Sequence, residues 1–110
     1  MSNNIEQIQD TLTFVFRKED MQRIKVKLDA EGNPFITIDV HGWSKATTKK
    51  KLENIMLLFR GTFHMNIIHG YMHGIEIKKM LLAYENDRII RKRGYNENPG
   101  ILYMKFKEAA

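Results

Sequence analysis

Several things are missing from this chain, and each absence narrows the reading. There is no cysteine, so disulfides and thiolate-bound metals play no part, which fits a reducing compartment. No apolar run is long enough to span a bilayer. The opening "MSNNIEQIQD" has neither a basic start nor an apolar stretch, so no secretory leader is expected and the default location is cytoplasmic. Low-complexity tracts and long repeats are absent, as are the Ser-His-Asp, P-loop and GxGxxG patterns.

What is present is globular. The 110 residues suit one domain with a real core, and a hydrophobic fraction of 43% argues against disorder. The formal net charge is +5. A positive field favours polyanions such as nucleic acid, although a generic solvated surface gives the same total.

Hydrophobic spacing organises the chain. Residues 1–21 read as an N-terminal helix or arm: Ile5, Ile8 and Leu12 have helical spacing, while "TLTFVF" also reads as a strand. "RIKVKL" alternates, with Ile24, Val26 and Leu28 on one face and Arg23, Lys25 and Lys27 on the other. The turn signal "DAEGNP" and a second strand, "FITIDVHG", complete a hairpin. From Ser44 a helix runs with Leu52, Ile55, Met56 and Phe59 in one stripe, Ser44 as its cap and Gly61 as its stop. A short strand "HMNIIHG" comes next, then a helix with Ile77, Met80, Leu81 and Tyr84 in a stripe. The strands "RIIRKRG" and "ILYMKF" end the pattern. The expected class is α/β, a two-layer sandwich in which a βαβαββ mixed sheet carries two helices, with an extra N-terminal strand or hairpin.

One echo stands out. "VHGW" (Val40 to Trp43) and "IHGY" (Ile68 to Tyr71) each close a strand and open a helix. A parallel strand pair brings both to one end of the sheet, where open α/β folds bind ligands and helix N-termini favour anions. Asp39 and His41 stand two apart on one strand, so they share a face. With His69 from the neighbouring strand, two imidazoles could serve as general base and acid across a phosphodiester, and Asp39 could orient His41. Gly42, Gly70 and Gly74 permit close backbone approach to a phosphate, His73 stands in the same loop, and Trp43 and Tyr71 offer faces for stacking bases. Lys45, Lys49, Lys50 and Lys51 crowd the first turns of the first long helix, against its dipole, as if facing an anion. Other readings stay open. The His-Gly steps could be plain turns, His41, His69 and His73 with Asp39 could bind zinc or iron, the aromatics could cap the core, and "RIIRKR" could be a charged edge strand.

The motifs resemble the Smr domain, the small MutS-related domain. "IDVHGWS" is similar to its Leu-Asp-x-His-Gly opening, "IIHGYMHG" to its second, glycine-rich motif, and "NENPGILYMKF" to its closing turn and strand. The likeness covers roughly residues 23–107, with residues 22–110 as the domain and residues 1–21 outside it. It implies a fold similar to the C-terminal domain of bacterial translation initiation factor three. It also implies nucleic-acid binding with nicking or cleavage of DNA or RNA, in DNA repair or RNA processing, or a non-catalytic nucleic-acid or ribosome-binding module with the same cleft. Asp39, His41 and His69 take the catalytic roles, and Gly42, Gly70, His73 and Gly74 hold phosphate. Trp43, Lys45, Lys49, Lys50, Tyr71, Arg91 and Arg93 contact nucleic acid. No protein-held metal or small-molecule cofactor is obligatory, a divalent cation such as magnesium being an optional helper, and no membrane is involved. One departure is Met72, which stands where the family pattern has its central glycine.

Overall fold

The computed structural model describes residues 4–70 and 74–110. Tyr71, Met72 and His73, all singled out above, lie outside the described residues.

Alternation in the first half of the chain does what its period dictates. Strand β1 (Ile24–Leu28) pairs antiparallel with β2 (Pro34–Asp39), with Ile24 opposite Ile38 and Val26 opposite Ile36, so one face of the hairpin is apolar. Gly32 turns the chain at φ 84°, and the Asp29 carboxylate accepts hydrogen bonds from the amides of Glu31 and Asn33 at 2.9 and 2.8 Å.

From β2 the chain crosses through helix α2 (Lys45–Leu58) to β3 (Phe63–Ile68), which pairs parallel with β2. Ser44 caps α2 by accepting from the Thr47 amide. Leu52, Ile55 and Met56 are buried in the predicted stripe. Gly61 is not the stop, however. The helix ends at Leu58, Phe59 is extended, and Arg88 closes the end, donating to the carbonyls of Met56, Phe59 and Gly61 at 2.6, 2.8 and 2.9 Å. A cation at a helix C-terminus satisfies orphan carbonyls and suits the dipole.

Helix α3 (Ile75–Ala83) follows, with Ile77 and Leu81 buried. Strand β4 (Ile89–Gly94) then leads to β5 (Ile101–Phe106). Lys92 of β4 turns towards α3 and donates to the carbonyls of Leu81, Leu82 and Tyr84 at its end. β5 inserts antiparallel between β3 and β4, giving the order β1-β2-β3-β5-β4 with β4 on an edge.

The three helices pack on one face of the sheet. Ile8, Leu12 and Phe16, the α2 and α3 stripes, and Ile36, Ile38, Met65, Ile67, Leu102 and Met104 form one cluster. Each such residue taken fully out of water contributes about 1.5–3 kcal/mol. The N-terminal segment belongs to this core. It is helical over Ile5–Leu12 (α1), and Asn4 and Gln7 form a reciprocal capping box at its start. The strand alternative for "TLTFVF" is not taken, since Thr13–Phe16 form a bonded turn after α1. The result is a two-layer α/β sandwich with a five-stranded mixed sheet. Among the described residues, no helix is long and apolar enough to cross a membrane.

Candidate functional site

β2 and β3 end side by side, with Asp39 opposite Ile68 and the Val40 amide donating to the Ile68 carbonyl at 3.0 Å. Both His-Gly steps therefore reach one rim of the sheet. At the first step the Trp43 amide donates to the Val40 carbonyl at 3.0 Å, and Gly42 has φ 86°. This is the geometry of a type II turn, whose third position requires a positive φ. The turn is fastened from below. The Asp39 carboxylate accepts from the His41 amide at 2.9 Å, and Arg23 donates to the carbonyls of Asp39 and His41 at 3.1 and 2.8 Å. His41 is exposed. The expected contact between Asp39 and the His41 imidazole is absent from the bonds formed here: the carboxylate holds the backbone of His41 instead.

The second step packs beneath the first. Gly70 has φ 85°, and a Cβ there would lie 3.5 Å from His41 Nδ1, so the exposed imidazole rests against the Gly70 turn. The amides of His69 and Gly70 both donate to the Gly100 carbonyl, at 2.8 and 3.2 Å. Gly70 therefore offers its turn, but not its N–H, to a ligand. Gly74, ahead of α3, sits so close to the preceding loop that a Cβ would collide with the His69 carbonyl. Close approach, rather than a positive φ, makes glycine necessary at that position. Gly74 gives α3 no side-chain cap.

His69 differs most from expectation. It is 2% exposed and lies in the interior rather than on the rim. Its Nδ1 is 2.9 Å from the Gly70 carbonyl. A carbonyl only accepts, so Nδ1 carries the proton and Nε2 holds a lone pair. That Nε2 is buried without a hydrogen-bond partner among the described residues. Burial lowers the His69 pKa below the usual 6.5, against a raising influence of the Gly70 bond and with help from the nearby positive Lys78. A neutral, enclosed imidazole is not placed to exchange protons with a substrate at the rim. The reason lies in the pleat, because Met65, Ile67 and His69 alternate onto the helix-covered face.

The remaining site residues fall into separate groups. Trp43 packs on the core, stacked on Phe16 at 6.4 Å with the Arg23 guanidinium 5.2 Å from its ring. Lys45 pairs with Glu76 at 3.8 Å, and Lys49 lies over the Tyr84 ring. Lys50 is exposed on α2, while Lys51 turns inward and donates to the Val15 carbonyl at 2.7 Å. Arg91 and Arg93 belong to the other layer. They stand opposite Lys105 and Tyr103 on the sheet face that no helix covers. One strand of nucleic acid cannot contact the α2 lysines and these arginines as a single track.

That uncovered face also holds the fourth histidine, which the motifs do not touch. His64 bonds through Nδ1 to the Tyr103 hydroxyl at 2.6 Å and through Nε2 to the Asp29 carboxylate at 2.7 Å. Burial alone would raise the Asp29 pKa. The bonds from the Asn33 backbone, His64, the Asn33 side chain and Glu31 outweigh it and hold the pKa at about 2. Three residues separated by 35 and 39 positions meet here, which is why no local pattern reveals them. The available signal was a histidine set between the apolar Phe63 and Met65 of a strand.

Next to the rim, Arg23, Lys25, Thr37, Asp39, His41 and Ile68 help line a groove of about 680 Å³. Among the described residues, no three of His, Asp and Glu converge as metal ligands. Compared with family models, curated proteins and solved structures, the chain matches none.

Proposed function

We propose that this protein is a nucleic-acid-binding domain of the Smr type that receives a phosphate of the strand at the rim formed by the ends of β2 and β3. The observation that carries the reading is the meeting of the two His-Gly turns, with the exposed His41 ring against Gly70. Around it stand the α3 N-terminus, which lacks a side-chain cap, and a chain of net charge +5. The Smr-like motifs add support from the sequence.

A second reading, phosphodiester cleavage, is favoured by the fixed and solvent-facing position of His41. In that reading His41 alone moves the proton, as base towards a 2′-hydroxyl of RNA or as acid towards the leaving oxygen. Asp39 acts through the backbone as a positioning residue, and His69 holds the Gly70 carbonyl through Nδ1. On DNA, which lacks the internal hydroxyl, a water activated by a divalent cation such as magnesium would replace that nucleophile.

The test is to incubate purified protein with labelled RNA and with supercoiled plasmid, with and without EDTA, for wild type and His41→Ala. Binding should weaken steeply with salt, and any cleavage should vanish in the variant while binding persists. Salt-insensitive or absent binding to every nucleic acid overturns the proposal. Cleavage that survives in His41→Ala removes the second reading alone.

A further inference from the structure

The helices leave one face of the sheet bare, and that face is not a random polar surface. Side chains of one parity point to it from every strand. Its cations are Lys25 and Lys27 from β1, Arg91 and Arg93 from β4, and Lys105 from β5, by their register opposite Thr37, Phe35, Lys105, Tyr103 and His64. Asp39, at the rim end of β2, is the carboxylate that the paired strands themselves present there. Asp29, in the turn beyond β1, is already engaged by His64 and Asn33.

Between the cations runs a row of flat groups. Phe35 stacks on His64 with centroids 5.2 Å apart, and His64 on Tyr103 at 5.9 Å. The Arg93 guanidinium lies 5.5 Å from the Tyr103 ring and 5.8 Å from the Tyr95 ring. Tyr95 is tied back to the sheet through its hydroxyl, which donates to Asn66 Oδ1 at 2.7 Å. The bonds of His64 to Asp29 and Tyr103 fix the centre of the row. The row spans β2, β3, β5 and β4, or three interstrand spacings, about 14 Å.

We infer that this uncovered sheet face is a platform for single-stranded nucleic acid, distinct from the His41 rim. Bases stack on Tyr95 and on Phe35, from which Lys27, now 4.8 Å over that ring, turns to a phosphate, and the backbone runs past Lys25, Arg91, Arg93 and Lys105. Positive charge alone would suit any polyanion. Flat groups interleaved with that charge select a strand whose bases are unpaired, because a duplex hides its base faces. Four-stranded sheets of other folds stack two or three bases in this way. Between the platform and the rim the groove is lined by Glu19, Asp20 and Asp39 beside Arg23, Lys25 and His41, so its carboxylates set the platform apart from the rim.

The inference shares with the proposed function the premise of a nucleic-acid ligand, and the experiment separates the two. Fluorescence anisotropy is measured with labelled 12-nucleotide RNA, the same DNA sequence, and the corresponding duplexes, over a salt series. The proteins are wild type, Arg91→Glu with Arg93→Glu, Phe35→Leu, and Lys49→Glu with Lys50→Glu. Circular dichroism checks each fold. Single strands should bind at least tenfold more tightly than duplexes. The arginine reversal, on exposed side chains, should weaken binding at least tenfold and reduce the salt slope by about 1.4, the value for two lost phosphate contacts on a single strand. Phe35→Leu should weaken it about fivefold or more at unchanged salt slope, because stacking and not charge is lost. Strong binding that is lost only in the Lys49 and Lys50 variant, or duplex preferred over single strand, overturns the platform and leaves the proposed function standing. No binding to any of the four ligands overturns both.

Discussion

Replacing His69 with Asn separates a catalytic histidine from a structural one. The Asn side chain places an amide N–H where Nδ1–H now meets the Gly70 carbonyl at 2.9 Å, and it removes the titrating ring. Burial holds the folded pKa of His69 below 6.5. As pH falls below 6.5, the unfolded chain therefore takes up a proton at this residue that the folded chain refuses. Stability contributed by the neutral ring is complete above that pH and is lost on acidification, with a slope approaching 1.4 kcal/mol per pH unit (about one proton), until the folded ring itself protonates. Urea unfolding of wild type and His69→Asn at pH 7.5 and 5.5 isolates this contribution. The wild-type advantage should shrink across that interval, while a variant lacking the ring shows no such loss. Nucleic-acid affinity at pH 7.5 should be unchanged, since the side chain reaches no solvent. A stability difference independent of pH would show that the ring is hydrated. A folded Asn variant that no longer binds or cleaves would show that His69 meets the ligand, and the structural role assigned to it would be wrong.

Two further outcomes test what holds the fold in place. Arg88 donates to Met56, Phe59, Gly61 and Lys107 carbonyls at 2.6 to 3.0 Å, so Arg88→Ala should cost about 2–4 kcal/mol in urea unfolding, with Arg88→Lys recovering part of it. A change under about 0.5 kcal/mol would mean that water replaces the guanidinium freely. Asp29, held at about 2 against an ordinary 3.8, contributes stability that is present above pH 3.8 and lost as pH falls through 2. For a side chain 21% exposed, solvent screening reduces the full linkage value to about 1–2 kcal/mol. Asp29→Ala should show that deficit at pH 7, and the gap to wild type should narrow between pH 4 and 2.5. A gap constant over that range would argue against the ionised Asp29 as the anchor of His64.

Much of the architecture could be read directly. Ile24, Val26 and Leu28 alternate because a pleated strand buries every second residue. Ser44 caps α2 because a hydroxyl one residue ahead of a helix meets a free amide. The parallel pairing of β2 and β3 follows from the crossover between them, and with it the arrival of both His-Gly steps at one rim. Other features resisted local reasoning. α1 was ambiguous because Ile5, Ile8 and Leu12 run straight into "TLTFVF"; the deciding signal was Asn4 three residues before Gln7. Gly61 looked like a helix stop only because Arg88, far along the chain, was not in view. The inward side of His69 depends on where the β3 pleat stands at the strand's last residue, and a one-residue change of phase there would move the ring to the opposite face.

By itself the sequence determined the class of fold, the hairpin and the βαβ unit, and it marked Gly42, Gly70 and Gly74 as places for close approach or a positive φ, of which the structure takes the positive φ at Gly42 and Gly70 and close approach at Gly74. These follow from local sterics and from periodicity, which act within a few residues. Only the tertiary structure decided what each histidine does. His41 is exposed against Gly70, His69 is buried and bound to the Gly70 carbonyl, and His64 is buried between Asp29 and Tyr103 on the face that no helix covers. The same side chain takes three states because its partners and access are set by burial and, for His41 and His64, by residues 29 to 39 positions away, and the chain's own order does not record those distances.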